Sequence, residues 1–337
     1  MQILVIGAGV AGLSSALRLA EAGHAVHVWA RERPPETTSA VAAAIWYPYR
    51  AEPADRVRGW AGVTLREFVR LSADPSTGIV LRHGLELFRD AVDDPPWASV
   101  VPGFRRAVSG ELPPGYTDGY AMRLPVIDMS VYLRWLEGRV LASGAGITQR
   151  TVRSFADISP NADVVVNCTG LGARDLCQDR QLFGVRGQVM VVEAPAVSEF
   201  RIDDATVTYI IPRLHDVVLG GTAEEHVYDT SIDAASAASI RAHCERLNPL
   251  SSNAPARAHK VGIRPCRATV RLERERLDGM TVVHNYGHGG AGVTLSWGCA
   301  AEVASLCGGH TVARETARSR SERQRGPGTS GPAGVAD

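Results

Sequence analysis

Hydrophobic and polar positions follow a clear pattern over the first thirty residues of the chain. An apolar run at residues 3–6 leads into glycines, and apolar side chains then recur at helical spacing from residue 13 until Gly23. A second apolar run covers residues 25–30. The pattern predicts a strand, a helix and a parallel second strand, which together form a βαβ unit.

Three glycines with the spacing G-x-G-x-x-G occupy the first turn of this unit. Gly7 permits the tight turn, Gly9 lets a pyrophosphate approach the backbone, and Gly12 lets helix and strand pack closely. Phosphates would lie at the helix N-terminus, where free N–H groups favour anions. Glu32 follows the third glycine by twenty residues and is placed to bind ribose hydroxyls. The set predicts a dinucleotide site; a tight turn in an ordinary α/β unit is the alternative.

The rest of the chain shows predicted strands and helices with less regular spacing. Residues 51–120 contain turn-rich stretches and show no dominant period. From residue 311 onward, arginines mixed with Ser, Gly and Pro predict a disordered tail rather than a nucleic-acid arm. Buried strands are predicted at 163–167 and 281–285, strands of a second sheet at 188–192 and 217–221, and helices at 131–141, 235–247 and 293–306.

Composition excludes several functional classes. The chain has 337 residues, enough for two lobes, and its 36 basic residues balance 36 acidic ones. It therefore lacks the net positive charge that nucleic-acid or anionic-membrane binding favours. Lys260 is the sole lysine, so Schiff-base chemistry has a single candidate, and none of the six cysteines forms a C-x-x-C pair. We expect no metal site, no membrane span and a cytoplasmic location.

A second glycine-rich turn lies far along the chain. Residues 286–292 hold four glycines between a predicted strand and a predicted helix. Simple NAD enzymes use one such turn. Two-domain flavin enzymes place a second helix N-terminus beneath the isoalloxazine ring, where the helix dipole favours negative charge on the reduced ring. Residues 289–294 fit that role; a bend needed for close packing is the alternative.

An ordered set of motifs is similar to those of the D-amino acid oxidase family and covers residues 2–306. The resemblance implies an α/β, two-domain flavoprotein with a Rossmann-like FAD-binding domain and a mixed-sheet substrate domain. Residues 1–50, 138–185 and 268–310 would form the first domain, 51–137 and 186–267 the second, and 311–337 the tail. The motifs are Val5–Val10, Val41–Tyr49, Val166–Gly170, Arg186–Gln188, Tyr209–Pro212, Gly262–Arg267 and His284–Gly290.

Carried over position by position, the resemblance implies noncovalent FAD as the cofactor. The first glycine turn and residues 31–32 would contact its pyrophosphate and adenosine ends, and the hydroxyls of 37–39 would lie near the phosphates. Residues 44–45 would approach the flavin ring, although the family often has glycine where Ala44 stands. The implied contacts are Gly7, Ala8, Gly9, Val10, Gly12, Arg31, Glu32, Thr37, Thr38, Ser39, Ala44, Ile45, Val152, Thr169, Arg264, Gly289, Gly290, Gly292, Val293 and Thr294.

The same resemblance implies the residues that bind an amino acid substrate. Arg264 would hold the α-carboxylate with a bidentate fork, and Tyr209 would donate its hydroxyl to that carboxylate, so these two are the candidate catalytic residues. The Gly290 carbonyl would accept from the substrate amine. Without the resemblance, a structural ion pair for Arg264 and a core position for Tyr209 are the simpler interpretations. His288 is either a general base or a structural donor.

The implied reaction is the oxidative deamination of a D-amino acid. The Cα hydrogen would leave as hydride for flavin N5 while the neutral amine pushes electrons, so positioning matters more than a protein base. Molecular oxygen would reoxidise the flavin to give hydrogen peroxide. The imine would then hydrolyse to a 2-oxo acid and ammonia.

Two departures from the family pattern bear on the substrate. The segment 200–209 is shorter than the lid of vertebrate members, which carry an additional tyrosine there, and this implies a more open entrance. D-aspartate oxidases have arginines where Ile202 and Ala223 align, so a second carboxylate would be poorly paired here. Neutral side chains are therefore favoured, although Arg201 and a pocket-lining Tyr47 leave acidic ones open.

Other functions compatible with the motifs are a D-aspartate or glycine oxidase of the same family and a catalytically silent flavin-binding protein. The former differs in substrate, and the latter has no need to keep both Tyr209 and Arg264. The expected partners are a D-amino acid and molecular oxygen, with a homodimer left open and neither nucleic acid nor membrane. The printed sequence shows no Ser-Lys-Leu peroxisomal address, in keeping with a cytoplasmic enzyme.

Overall fold

The structure is a computed structural model that describes residues 1–49, 51–158 and 162–308. Within this part of the chain, fourteen strands join in one mixed sheet that six α-helices flank. The tail predicted at 311–337 lies outside the described residues. The strands are β1 Gln2–Ile6, β2 Ala25–Ala30, β3 Ile79–Phe88, β4 Arg105–Arg106, β5 Asp118–Ile127, β6 Gly146–Gln149, β7 Val164–Asn167, β8 Phe183–Val192, β9 Phe200–Asp203, β10 Thr208–Pro212, β11 Val217–Gly220, β12 Glu224–Glu225, β13 Ala256–Leu277 and β14 Met280–His288; the helices are α1 Val10–Glu21, α2 Ala54–Leu71, α3 Met129–Ala142, α4 Ala173–Leu176, α5 Ala234–Leu247 and α6 Gly292–Gly308.

The predicted βαβ unit is present and lies in a parallel stretch of the sheet with the order β6-β2-β1-β7-β14. Strands β1 and β7 are buried along almost their whole length, as expected of parallel strands covered on both faces. In the parallel register, Ile6 lies opposite Asn167, so β1 and β7 end at the same edge of the sheet. Helix α1 begins at this edge and packs against α6 and α3.

Strand β13 joins the parallel stretch to the other half of the sheet, which is antiparallel except for the pair β3 and β9. It pairs with β8 through Cys266, and with β14 at Cys266 and from Arg271 to its end. The sheet then continues in the order β8-β11-β10-β9-β3-β5-β4. The strands predicted at 188–192 and 217–221 are present within β8 and β11, but the prediction that they belong to a second sheet is wrong. Backbone pairing on both sides of β13 makes the sheet continuous.

One helix and three strands between residues 51 and 127 have no counterpart in the sequence-based predictions. They are α2, the short β4, and the strands β3 and β5, which pair antiparallel along their whole length. Helix α2 buries Val57, Ala61, Leu65 and Phe68 on the face that packs toward α6 and the sheet. That spacing is a helix signal in the sequence, so α2 could have been predicted.

The two largest apolar clusters hold the layers together. The larger one lies between the sheet and helices α1, α2, α3 and α6, and the smaller one lies where α5 packs against β8, β10 and β11. The helices predicted at 131–141, 235–247 and 293–306 are α3, α5 and α6. Among the described residues, no helix is both long and apolar enough to cross a membrane.

Candidate active site

A cavity of about 640 Å³ lies where β1 and β7 end and face the antiparallel half of the sheet. Both glycine-rich turns and residues of β8, β9, β10 and β13 form its wall, and its size suits a cofactor or a small ligand. Gly12 is the one predicted site residue that does not line it. Those that do are Gly7, Ala8, Gly9, Val10, Arg31, Glu32, Thr37, Thr38, Ser39, Ala44, Ile45, Val152, Thr169, Tyr209, Arg264, Gly289, Gly290, Gly292, Val293 and Thr294.

Backbone contacts shape the first glycine turn. Gly7 has a φ of +114°, and a Cβ there would lie 2.4 Å from the Cys168 carbonyl oxygen. A Cβ on Gly12 would lie 2.0 Å from the Gly7 carbonyl oxygen. Gly12 therefore lets the helix pack on the turn instead of facing the cavity. The Ser39 Oγ accepts from the Val10 N–H at 3.0 Å and so contacts the first residue of α1.

The cavity wall beside this turn contains an unsatisfied hydroxyl. Thr37 Oγ1 is buried and has no hydrogen-bond partner among the described residues. Such a group is costly unless a ligand satisfies it. Arg31 and Glu32 form an exposed pair at 3.0 Å farther along the same wall. The unsatisfied Thr37 hydroxyl, the close approach that Gly9 allows to the backbone and the N-terminus of α1 fit the phosphates of a dinucleotide.

Ala44 adopts a backbone conformation that glycine would adopt more easily. Its φ is +54°, in the left-handed region, and its side chain is buried. The Ala44 carbonyl accepts from the Ile127 N–H at 2.8 Å, which holds this segment on β5. The positive φ gives a physical reason for the family's glycine at this position, and it shows that alanine is tolerated there.

The second glycine turn leads into α6 and is tied to the segment that follows Ala44. The Thr294 hydroxyl lies 3.0 Å from the Tyr47 amide nitrogen and 2.9 Å from the Tyr47 carbonyl oxygen. A Cβ on Gly290 would lie 2.8 Å from the ring of Tyr49. The N-terminus of α6 and these two tyrosines therefore form one side of the cavity.

Tyr209 and Arg264 are neighbours in the cavity wall. Burial raises the pKa of the Tyr209 hydroxyl, and the positive charge and hydrogen bond of Arg264 only partly offset that effect, so the phenol stays protonated. Arg264 Nη1 donates to the Thr222 carbonyl at 3.0 Å. None of the ion pairs among the described residues involves Arg264, which argues against the structural ion pair considered from the sequence. Its charge is available to an anionic ligand.

Glycines make room for both side chains of this pair. A Cβ on Gly187 would lie 2.3 Å from Arg264 Nη1, and a Cβ on Gly220 would lie 2.0 Å from the ring of Tyr209. Neither glycine was predicted to have a role of its own. Glycine inside a predicted strand often marks a close approach by another group, and this signal was available for Gly220 but not for Gly187, which precedes the strand predicted at 188–192.

A second tyrosine in the cavity wall is paired with a buried acid. The Tyr47 hydroxyl lies 2.5 Å from Oε1 of Glu86, which is only 3% exposed. Burial raises the pKa of Glu86 to about 7, against the opposing effect of the Tyr47 hydrogen bond, and nearby Asp204 raises it further. Glu86 was missed from the sequence because it lies on a strand, β3, that was not predicted.

His288 lines the cavity but is held by a neighbouring amide. Its Nε2 lies 2.9 Å from Oδ1 of Asn285, whose Nδ2 donates to Ser15 Oγ at 3.1 Å. Asn285 therefore presents its oxygen to the histidine, and Nε2 carries the proton. Burial lowers the pKa of His288 to about 4, so the ring is a neutral donor at physiological pH. The structure favours the structural donor over the general base.

The short segment between β9 and β10 lines the cavity beside Tyr209. It contains one 3-10 turn at Asp204–Thr206, and Asp203 anchors it through an ion pair with Arg89 at 2.7 Å. Of the two positions at which D-aspartate oxidases carry arginine, Ile202 lines the cavity and Ala223 does not. No group of three or more His, Cys, Asp or Glu side chains in the described residues could hold a metal ion.

Comparison with known proteins shows what the chain is similar to. A family model described as DAO, FAD dependent oxidoreductase, matches residues 2–306. A D-amino-acid oxidase of Rubrobacter xylanophilus is 49% identical over 90% of this chain and 95% of that protein. One of Streptomyces coelicolor is 45% identical over 90% of this chain and 96% of that protein. The crystal structure of a glycine oxidase from Geobacillus kaustophilus has the same fold, with a TM-score of 0.77 and 18% identity over 90% of this chain and 93% of that one.

Proposed function

The chain belongs to the DAO family of FAD dependent oxidoreductases, and from this premise we propose that it catalyses the oxidative deamination of D-amino acids with neutral side chains. The products are a 2-oxo acid, ammonia and hydrogen peroxide. The observation that carries the proposal is the clamp pair, Tyr209 and Arg264. Tyr209 contributes a donor hydroxyl, and Arg264 contributes a guanidinium that has no carboxylate partner among the described residues. Both residues line the same cavity as the two glycine turns.

FAD is the cofactor of this family, and the cavity residues fit it. The N-terminus of α1 and the Thr37 hydroxyl would hold the phosphates, Glu32 the ribose, and the N-terminus of α6 the pyrimidine end of the flavin. When bound, FAD accepts the two electrons removed from the substrate and passes them to molecular oxygen.

The clamp pair orients the substrate through its carboxylate. Arg264 contributes a charged fork, and Tyr209 contributes one proton that its raised pKa keeps in place. The Gly290 carbonyl is the proposed acceptor for the amine. With carboxylate and amine held at two fixed points and the flavin on one side of Cα, only one enantiomer would direct its Cα hydrogen toward the flavin, so the site would distinguish enantiomers. His288 donates to Asn285, and the reaction needs no protein base.

The surroundings of the clamp support neutral over acidic substrates. Ile202 lines the cavity where an arginine would be needed to pair a second carboxylate. Arg201, next to it, donates to the Leu247 carbonyl at 2.8 Å. The buried Glu86 would also repel a second negative charge. D-aspartate or glycine oxidation is the alternative enzymatic activity, and silent flavin binding is the alternative without catalysis.

We also propose the division into FAD-binding and substrate-binding parts at the boundaries given by the sequence analysis. The parallel strands β6, β2, β1, β7 and β14 belong to the first part and the antiparallel strands to the second, with β13 shared between them. A homodimer and a cytoplasmic location remain predictions. Sedimentation equilibrium and cell fractionation test them.

The test of the proposed function is a visible spectrum of the purified protein, followed by anaerobic addition of D-alanine and then L-alanine. Flavin bands bleached by the D form alone, with peroxide formed on admitting air, are the expected result. Bands that neither enantiomer bleaches would direct the search to glycine, D-aspartate or a silent binder. A protein that cannot be reconstituted with FAD would overturn the proposal.

A further inference from the structure

Strand register places Glu86 beside the clamp, on the same face of the sheet. Tyr209 on β10 lies opposite Ile202 on β9, and Ile202 lies opposite Glu86 on β3. Residues in register project from the same face, and two strand spacings amount to roughly 10 Å. A substrate held by its carboxylate at Tyr209 can therefore extend its side chain toward the wall in front of Glu86.

Tyr47 forms that wall. Its ring lines the cavity, and its hydroxyl lies 2.5 Å from Glu86 Oε1. The ring packs edge-on against Trp97 at 5.6 Å, and Thr294 holds the Tyr47 main chain. A phenol that donates its only proton to a carboxylate presents only lone pairs to its other neighbours. Its hydrogen-bonding character in the cavity thus depends on Glu86.

The groups that face Glu86 are acidic or phenolic. They are the Tyr47 hydroxyl, the Tyr120 hydroxyl on β5 and the Asp204 carboxylate in the turn after β9. Oε2 of Glu86 is buried and has no hydrogen-bond partner among the described residues. Nothing in this group neutralises the charge that Glu86 carries when it ionises.

Two arginines near Glu86 bind other groups. Arg201 on β9 donates to Leu247, and Arg89 at the end of β3 pairs with Asp203. The buried face of α2, which packs on β3, carries no ionisable side chain. No ion pair among the described residues includes Glu86, so the pair with Tyr47 is its main polar interaction.

We propose that the Tyr47–Glu86 pair determines whether the cavity wall that the substrate side chain meets donates or accepts hydrogen bonds. This inference rests on the proposed oxidase function and extends its substrate range. With Glu86 ionised, the wall accepts hydrogen bonds and attracts cations. With Glu86 protonated, its carboxyl can donate to the Tyr47 oxygen, and the phenol proton is free to donate into the cavity. The ionised pair therefore raises kcat/KM for D-ornithine relative to D-norleucine, which has the same shape but ends in a methyl group.

The experiment measures the ratio of kcat/KM for D-ornithine to that for D-norleucine at pH 6.0 and pH 8.5, on either side of the Glu86 pKa of about 7. In the unmodified enzyme we expect the ratio to rise roughly tenfold with pH, because a hydrogen bond to a charged group contributes at least that much. In Glu86→Gln the ratio should stay at its low value at both pH values. The control is Glu199→Gln, an exposed acid before β9, which should follow the unmodified enzyme.

The outcomes separate this inference from the function on which it rests. A ratio that is independent of pH in the unmodified enzyme overturns the inference, even if Glu86→Gln fails to fold. A ratio that is the same in Glu86→Gln and the unmodified enzyme at pH 8.5 also overturns the inference. In either case the proposed function stands if the enzyme oxidises D-alanine. If no D-amino acid bleaches the flavin, both proposals fail.

Discussion

The guanidinium of Arg264 occupies the space into which a side chain at Gly187 would project. A Cβ on Gly187 would lie 2.3 Å from Nη1 of Arg264, with the rest of the guanidinium at similar distances. The two residues are on adjacent strands, β13 and β8. The position of the proposed carboxylate clamp therefore depends on the absence of one methyl group on the neighbouring strand.

Replacing Gly187 with alanine should displace the clamp without unfolding the protein. The added methyl meets the flexible end of an arginine, which can move, so we expect flavin to remain bound and KM for D-alanine to rise by roughly tenfold or more. Gly138→Ala in α3 is the matched control, because nothing lies within 4 Å of a Cβ there. It should leave KM unchanged and raise Tm slightly. Equal KM values in the two variants would contradict the clamp geometry.

Arg264→Ala should retain the yellow flavin and lose most activity. Removing a guanidinium that pairs a buried carboxylate costs about 2–5 kcal/mol, so kcat/KM for D-alanine should fall by roughly thirtyfold to several thousandfold. Arg264→Lys keeps the charge but loses the fork, and its activity should lie between the two. Steady-state kinetics on flavin-loaded protein measures the effect. Full activity in Arg264→Ala would remove Arg264 from the site.

Thr37→Val should weaken FAD binding without destabilising the protein that lacks FAD. The Thr37 hydroxyl has no partner among the described residues, so valine, which has the same shape, removes an unsatisfied buried group. We expect the Tm of the apoprotein to be unchanged or higher and the Kd for FAD to rise roughly fivefold to tenfold. Flavin fluorescence titration gives the Kd. An unchanged Kd together with a lower Tm would mean that the hydroxyl has a structural partner instead.

Glu86→Gln should change how stability depends on pH. The carboxyl has a pKa of about 7 in the folded protein and 4.5 as its ordinary value, so the folded state holds the proton more tightly. The stability that this carboxyl gives the folded state is fully present below pH 4.5 and is lost as the pH rises through 7. Relative to the unmodified protein, the variant should gain about 3 kcal/mol in free energy of unfolding across that window. Denaturant melts of both proteins at pH 4.5 and 7.5 measure the difference, and parallel pH dependences would show that Glu86 ionises normally.

The parts of this site that the sequence predicts are those built from contiguous residues. The turn at Gly7 and Gly9, the acid at Glu32 and the turn before α6 each combine glycine spacing with a local hydrophobic pattern, and the structure brings them to one cavity. The family, its fold class and its FAD dependence are confirmed by the family match and by the relatives. The individual contacts to FAD and substrate stay predictions.

The parts that the sequence does not predict depend on pairing between distant strands. Glu86 meets Tyr47 only because the segment before Tyr47 is bonded to β5, which pairs with β3, and Gly187 meets Arg264 only because β8 lies beside β13. No local period encodes which strands become neighbours, and this is also why one continuous sheet was predicted as two. Helix α2 is a different case. Its apolar spacing is a helix signal in the sequence, but the turn-rich sequence around the helix obscured that signal.

Strand β13 also constrains how the molecule can move and unfold. One uninterrupted backbone of 22 residues contributes hydrogen bonds to both halves of the sheet. The two ladders occupy different parts of the strand, residues 256–266 toward β8 and Cys266 with residues 271–277 toward β14, and the register shifts between Cys266 and Arg271. Any movement of one half relative to the other must therefore bend this single strand at residues 267–270. We expect thermal unfolding to be one cooperative event, because both halves lose a hydrogen-bonded neighbour when β13 detaches.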